Sequence, residues 1–153
     1  EVDFSEEQLT KHFDFYEPFT VHESSLSPCV HSIQAAKLGR MDQAYDMYLR
    51  TSRLDLDDYN HEVEEGCHIT SMAGTWLSIV EGFGGMRVRN GGLSFTPRIP
   101  SAWKRYSFKV NFRGQILKVS VSNTESAFSI ERGVDMEIEV NAKKMILTAA
   151  KKV

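Results

Sequence analysis

The chain is organised around the segment Gly66-Cys67-His68-Ile69-Thr70-Ser71-Met72-Ala73-Gly74-Thr75-Trp76. Its apolar residues recur at the spacing of one face of an α-helix, a pattern that continues to Val80. A second face carries only small side chains, those of Ser71, Gly74, Thr75 and Ser78. Because small side chains let another backbone approach closely, the spacing predicts an inner helix that is packed from two sides.

The start of this helix has the features of an anion site. The N–H groups of a first helical turn lack partners within the helix and lie at the positive end of its dipole. A phosphate or carboxylate can therefore bind there, with His68 and Ser71 as side-chain partners. The alternative is a buried helix whose histidine is hydrogen-bonded in the core.

Length and composition indicate one ordinary domain or two small ones. The chain has 153 residues, of which 41% are hydrophobic and 25% are charged, as in folded globular proteins. No apolar run approaches the roughly 20 residues of a membrane helix, and the first residues do not form a signal peptide. The chain begins without methionine, so it is expected to be a piece of a longer protein.

The metal-binding residue types show no ligand spacing. Cys29 and Cys67 form no CxxC pair, and we interpret both as reduced and buried, which favours an intracellular protein. The 5 histidines show no HxxxH or HxH spacing. The sequence therefore predicts no metal site.

The net charge of −3 conceals a division of the chain. Residues 1–85 contain 16 acidic and 5 basic residues, whereas residues 86–153 contain 5 acidic and 13 basic residues. This division predicts two modules with an electrostatically favourable contact. The basic half lacks an aromatic-rich binding motif, so nucleic-acid binding is not predicted.

Residues 1–85 follow helical periodicity. A first helix is predicted from Ser5 to about Tyr16, followed by an extended piece at 19–21 and a polar loop at 22–27. Ser27 is expected to cap a second helix that has proline in its first turn and ends at Gly39, and a third helix is expected to open at Asp42. The acidic stretch 55–65 is interpreted as a solvated connection.

Residues 86–153 follow the period of two that is typical of strands. Alternating apolar residues predict several short strands with one polar face, and Asn90-Gly91-Gly92 predicts a hairpin. The glycine-rich run that ends at Gly85 marks the boundary. The predicted fold class is therefore α+β, with helices in 1–85 and a small antiparallel β-sandwich in 86–153.

Three segments resemble the carboxyl-terminal part of glycoside hydrolase family 65: His22–Pro28, Gly66–Trp76, and Leu93 to Trp103 with its two prolines. This family contains maltose, trehalose, kojibiose and nigerose phosphorylases, and the resemblance covers nearly the whole chain. Maltose phosphorylase is the member expected to be most similar, although these segments do not select the disaccharide. The resemblance implies that 1–85 are the last helices of an (α/α)6 catalytic barrel and that 86–153 are the carboxyl-terminal β-sandwich.

The resemblance also implies inverting phosphorolysis. Inorganic phosphate attacks the anomeric carbon of an α-glucosyl disaccharide such as maltose, a glutamic acid protonates the leaving oxygen, and β-glucose 1-phosphate and glucose result. Phosphate is then a substrate, and no cofactor is expected. The resemblance and the residue types together assign phosphate binding to His68, Ser71, Ser24 and Ser25, and a part in shaping the substrate pocket to His22.

The general acid of the family, and the lysine–glutamine pair that grips glucose, lie upstream of the segments present here. No catalytic residue is therefore assigned to this chain, which is expected to be inactive without the rest of the barrel. The family implies a cytoplasmic homodimer. Two alternatives remain: a free-standing protein-interaction module, and a hydrolase of the same barrel family, against which the absence of a carboxylate between Cys67 and Thr75 argues.

Overall fold

The structure is a computed structural model that describes residues 4–59 and 61–149. The chain divides into two compact units between Gly82 and Phe83. The first unit is helical and the second consists of β-strands. Across the described ranges, no helix combines the length and apolar character that crossing a membrane requires.

Within residues 4–59 and 61–82, the helical unit contains five α-helices and two 3₁₀ turns. The helices are α1 (Glu6–Tyr16), α2 (Ser27–Lys37), α3 (Met41–Ser52), α4 (Leu54–Asp57) and α5 (Ile69–Leu77). The 3₁₀ turns are Glu17–Phe19 and Val63–Glu65, and α5 continues as a π-helical segment, Ser78–Phe83. The predicted start of α1 is confirmed, because Ser5 and Gln8 form a reciprocal capping box.

The connection between α1 and α2 differs from the prediction in two places. The 3₁₀ turn Glu17–Phe19 replaces the start of the extended piece expected at 19–21, because Pro18 favours the first turn of a helix and Thr20 N–H bonds to the Glu17 carbonyl. Ser27 does not cap α2. It lies inside the first turn, and its hydroxyl contacts His22 Nδ1 at 2.9 Å.

Helix α5 packs through its small residues and not through its apolar stripe. Ser71, Gly74 and Ser78 are buried, and a Cβ atom on Gly74 would lie 2.8 Å from Cys29 Cβ of α2. The apolar stripe is open within α5, since Ile69, Met72 and Trp76 are 74%, 52% and 47% exposed, whereas Val80, which continues the stripe beyond α5, is buried. The expectation of a helix covered from two sides is therefore correct for one side and wrong for the other within the described residues.

The two cysteines also differ in burial. Cys29 is buried and burial raises the pKa of its thiol, whereas Cys67 is exposed, contrary to the expectation that both are core residues. Cys67 lies on the short connection that precedes α5, outside the helices that form the core.

The second unit, as described up to residue 149, contains seven strands in two sheets. They are β1 (Arg87–Arg89), β2 (Gly92–Phe95), β3 (Arg105–Phe112), β4 (Gln115–Ser122), β5 (Ser126–Arg132), β6 (Met136–Val140) and β7 (Lys143–Leu147). One sheet has the order β1-β2-β6-β7 and the other the order β3-β4-β5. The predicted hairpin at Asn90-Gly91 is confirmed, with Arg89 opposite Gly92.

The sandwich is mixed and not purely antiparallel. Strand β2 pairs with β6 in parallel, with Leu93 opposite Ile138, and the other strand pairs are antiparallel. The predicted alternation is confirmed in β4, where Leu117, Val119 and Val121 are buried. Phe95 of one sheet meets Phe128 of the other with ring centroids 5.2 Å apart, so the apolar faces of the sheets form the core.

Candidate functional site

His68 is the N-cap residue of α5, at the helix start to which the sequence assigns an anion site. Its backbone N–H donates to Asp55 Oδ2 at 2.9 Å, and its Nδ1 lies 2.5 Å from Asp55 Oδ1. Nε2 faces the other way and stands 3.5 Å from Glu62 Oε2. The two contacts with one carboxylate fix the ring, which leaves Nε2 as the nitrogen available to a ligand.

Asp55 also favours the charged form of the ring. The hydrogen bond with Asp55 raises the pKa of His68 above its ordinary value of 6.5. Burial lowers this pKa, but by less than the hydrogen bond raises it. The negative charges of Asp55, Glu62 and Glu65 raise it further. The hydrogen bonds from His68 hold the pKa of Asp55 below its ordinary 3.8. These interactions therefore favour the charged form of the ring, in which Nε2–H can donate to an anion.

The backbone before His68 is set by Gly66. Its φ of 104° and ψ of −165° lie in a region that is essentially open only to glycine. A Cβ atom there would meet nothing within 4 Å, so conformation and not space demands the glycine. Gly66 thus turns the chain from the 3₁₀ turn at 63–65 into the start of α5.

The loop of residues 22–27, which we call the serine loop, contacts the first turn of α5. Ser25 Oγ lies 2.9 Å from Thr70 Oγ1. Ser24 is exposed, and its Oγ accepts the Leu26 N–H at 3.3 Å. Two segments separated by more than forty residues in the chain therefore meet beside His68 and present hydroxyl groups there.

Ser71 is placed differently from these hydroxyls. It is 2% exposed and donates its only hydroxyl hydrogen to the Thr51 carbonyl oxygen at 2.7 Å. Its backbone N–H donates to the His68 carbonyl at 2.9 Å. Ser71 therefore joins α5 to α3 in this structure, and its side chain does not stand beside the Ser25–Thr70 contact.

His22 is turned away from Ser25, towards the start of α2. Its Nδ1 contacts Ser27 Oγ at 2.9 Å, and its ring meets that of His31 edge-on with centroids 4.6 Å apart. Its backbone carbonyl accepts a hydrogen bond from Arg50 Nη2 at 2.7 Å. These contacts anchor the end of the serine loop that precedes Ser24.

Three residues of the site were not identified from the sequence. Asp55 and Glu62 belong to the acidic stretch that was interpreted as a solvated connection, yet both flank His68. Thr70 lies in the central segment, and its position in the first helical turn is the signal that could have singled it out. No comparable signal identifies Asp55, because its contact with His68 spans an irregular segment.

The arrangement suits an oxyanion whose charge must be held by donors. The His68 ring lies at the start of α5, between Asp55 and Glu62. The Ser25–Thr70 contact brings two hydroxyls to the first turn of the same helix. Preorganised donors of this kind stabilise negative charge without reorganisation of solvent.

Two family models match the chain in sequence order. The glycosyl hydrolase family 65 central catalytic domain matches residues 1–77, and the family 65 C-terminal domain matches residues 86–147. The match boundaries lie on either side of the division between Gly82 and Phe83.

Characterised relatives extend over almost the whole chain. A maltose phosphorylase from Bacillus subtilis (strain 168) is 49% identical over 94% of this chain. An α,α-trehalose phosphorylase from Thermoanaerobacter brockii is 44% identical over the same share. This chain covers 19% of the length of each of these relatives.

A solved structure, provisionally named as a kojibiose phosphorylase from the human microbiome, has the same fold. It is 41% identical with a TM-score of 0.90, over 95% of this chain and 19% of that one. Both family models, these relatives and this structure point to one family. The chain therefore belongs to glycosyl hydrolase family 65.

Proposed function

We propose that this chain is the carboxyl-terminal part of an inverting disaccharide phosphorylase and that it carries part of the phosphate site. The observation that carries the proposal is the contact between Ser25 and Thr70, which brings the serine loop to the first turn of α5 beside His68. Similarity to maltose and trehalose phosphorylases supports an α-glucosyl disaccharide as the sugar substrate.

In the proposed reaction a phosphate oxygen bonds to the anomeric carbon while the glycosidic C–O bond breaks. The leaving oxygen takes a proton from a glutamic acid outside this chain, and β-glucose 1-phosphate and glucose are released with no cofactor. Phosphate stands where an inverting hydrolase holds a water and its carboxylate base. The phosphate side of the site therefore requires donors in place of a base. The His68 ring and the hydroxyls of the serine loop fit this role, whereas the backbone N–H groups of Ile69, Ser71 and Met72 already donate to carbonyl groups of the chain.

The residues have distinct roles in this proposal. His68 donates Nε2–H to a phosphate oxygen, while Ser24 and Ser25 supply hydroxyl hydrogens from the serine loop. Ser71 was assigned to the same ligand, and its bond to Thr51 favours a supporting role that holds α5 in place. His22 shapes the pocket by anchoring the serine loop through Ser27.

The exposed apolar stripe of α5 supports the proposal that the remainder of an (α/α)6 barrel packs against this chain. Ile69, Met72 and Trp76 form a contiguous patch of a kind that usually marks an interface. We further propose, from the resemblance alone, that the whole enzyme is a cytoplasmic homodimer. On this view the isolated chain has no turnover, because the general acid lies elsewhere.

The test is His68→Ala in the whole enzyme that carries this chain. Loss of one charge-assisted hydrogen bond lowers kcat/KM for phosphate roughly ten- to hundredfold and leaves disaccharide affinity nearly unchanged. Both quantities come from initial rates of glucose 1-phosphate release over a grid of phosphate and disaccharide concentrations. His61→Ala is the matched control, since His61 is an exposed histidine of the same unit.

Two outcomes contradict the proposal. Equal loss of phosphate and disaccharide use in His68→Ala would assign His68 a structural role. Glucose release that proceeds at the same rate without phosphate would identify a hydrolase.

A further inference from the structure

Glu17, His22 and His31 form a cluster that the phosphate site does not use. Each residue offers one ligand atom, and these atoms all lie within 4.8 Å of one another. The residues come from the 3₁₀ turn, the serine loop and α2. We propose that Glu17, His22 and His31 bind a divalent transition-metal ion of the zinc class.

The distances are close to those of a zinc site. Ligand atoms bound to one zinc ion at roughly 2.0–2.1 Å stand roughly 3.3–3.5 Å apart in tetrahedral geometry. His22 Nε2 lies 3.7 Å from Glu17 Oε1, and the upper limit of 4.8 Å for the set is within the reach of small side-chain rotations. The three ligand atoms must therefore approach one another by up to about 1.5 Å to bind one zinc ion.

The contact between His22 Nδ1 and Ser27 Oγ is compatible with the tautomer that a metal ligand needs. With Nδ1–H donating to Ser27 Oγ, which lies 2.9 Å away, the lone pair of the neutral ring is on Nε2. A hydrogen bond on the second ring nitrogen is the usual companion of a metal-bound histidine. Nε2 is the nitrogen that faces Glu17.

One ring nitrogen of each histidine is buried and has no hydrogen-bond partner among the described residues. This holds for His22 Nε2 and His31 Nδ1, both of which belong to the cluster residues. Unpaired buried polar atoms are costly and uncommon in proteins, so two in one cluster call for a ligand.

The ligand set selects the class of metal. Two imidazoles and one carboxylate suit zinc and its neighbours, whereas calcium and magnesium require oxygen ligands. Glu17 and His31 line an open cavity of about 280 Å³, which gives the ion a route from solvent. Three protein ligands leave one position for water.

The ion would tie the end of α1 to α2 across the serine loop. Glu17 precedes this loop, His22 lies within it and His31 follows it. Binding would therefore restrict the loop that carries Ser24 and Ser25. The site itself is independent of the proposed phosphorolysis, since it is defined by metal binding and not by turnover.

The experiment measures metal binding in the full-length protein after removal of metals with a chelator. Zn²⁺ is titrated calorimetrically, and Co²⁺ is titrated with visible absorption as the signature of low-symmetry nitrogen and oxygen coordination. We expect Glu17→Gln and His31→Asn to weaken Zn²⁺ binding more than about a hundredfold, and Ser27→Ala about tenfold. His61→Ala, the matched control, should bind as the unaltered protein does.

Circular dichroism of each variant in chelator shows which of them fold. If His31→Asn does not fold, Glu17→Gln and Ser27→Ala decide, since both conserve the shape of the cluster more closely. Zn²⁺ affinity that is unchanged in Glu17→Gln, or lowered equally by His61→Ala, overturns the proposal. Loss confined to the cluster variants supports it, whether or not His68→Ala affects phosphate use.

Discussion

The pairing of His68 with Asp55 determines how the candidate phosphate site responds to pH. Asp55→Asn removes the carboxylate that raises the pKa of His68, so the pKa of that ring should fall towards 6.5 or below. Proton NMR titration of the His68 ring measures the change directly. Glu62→Gln is the comparison variant, and its effect should be smaller, because Glu62 Oε2 stands 3.5 Å from the ring nitrogen against 2.5 Å for Asp55 Oδ1.

The same pair gives a stability window. His68 has a raised pKa in the folded state, so its contribution is complete below its unfolded pKa and is lost as pH rises through the folded one. Asp55 has a lowered pKa, so its contribution is present above its unfolded value and is lost as pH falls through the folded one. The difference in denaturant midpoint between the unaltered protein and Asp55→Asn should therefore be largest near pH 5 and shrink above about pH 8. A difference that grows with pH would contradict the pairing.

For single residues, the sequence predicted where a side chain lies in its helix better than it predicted which residue that side chain contacts. His68 does stand at a helix start, because Gly66 and the periodicity after it specify where α5 begins. Asp55 could not be assigned to it, since the thirteen-residue separation has no helical or strand period from which proximity follows. Ser71 lies on the small face as predicted, but that face packs on α3, which uses the hydroxyl.

At the scale of elements, the contact between α5 and α2 depends on the absence of a side chain at Gly74. A methyl group there would lie 2.8 Å from both Cys29 Cβ and Cys29 Sγ. Gly74→Ala should therefore lower the free energy of unfolding by about 1–3 kcal/mol, although alanine is the better helix former. Urea denaturation followed by circular dichroism measures the change.

Gly82→Ala is the matched control for this prediction. A Cβ atom at Gly82 would lie 3.6 Å from Ile33 Cα and 3.7 Å from Ile33 Cγ1, which are ordinary contacts. This variant should be as stable as the unaltered protein or slightly more stable. Equal destabilisation by both substitutions would mean that helix geometry, and not the close approach of α2, decides the cost.

The local spacing of apolar residues predicted the helices and strands, but it did not predict which distant strands pair with each other. The alternation in 106–121 gave β3 and β4, whose hairpin connection leaves one sensible register. The parallel pairing of β2 with β6 joins segments more than forty residues apart, and neither strand's pattern names its partner. The histidine cluster escaped prediction for the same reason, because Glu17, His22 and His31 meet only once a turn and a loop have folded.

At the scale of the whole molecule, the helical unit carries an apolar surface that this chain leaves open. The isolated 153-residue chain should bind an apolar dye and self-associate, and Ile69→Lys should reduce both effects, since Ile69 is 74% exposed in the α5 stripe. Dye fluorescence and sedimentation velocity report the two effects. Val88→Lys, an exposed site on β1, should change neither.

The result shows whether the α5 stripe is the surface that binds the dye and self-associates. Reduction by Ile69→Lys alone would identify α5 as the associating surface, as the proposed packing of further barrel helices against it requires. Undiminished dye binding in Ile69→Lys would place the associating surface elsewhere and remove this support for the proposal.

Because one cysteine is buried and the other is exposed, a thiol reagent can label the helical unit at a single position. Cys29 is enclosed against Gly74, whereas Cys67 is open to solvent and is the covalent neighbour of His68. Thiol reagents can therefore modify Cys67 of the folded chain without removal of any native cysteine. A fluorophore attached there stands one residue from the imidazole, so its emission can test the proposed binding of an oxyanion in real time and without turnover.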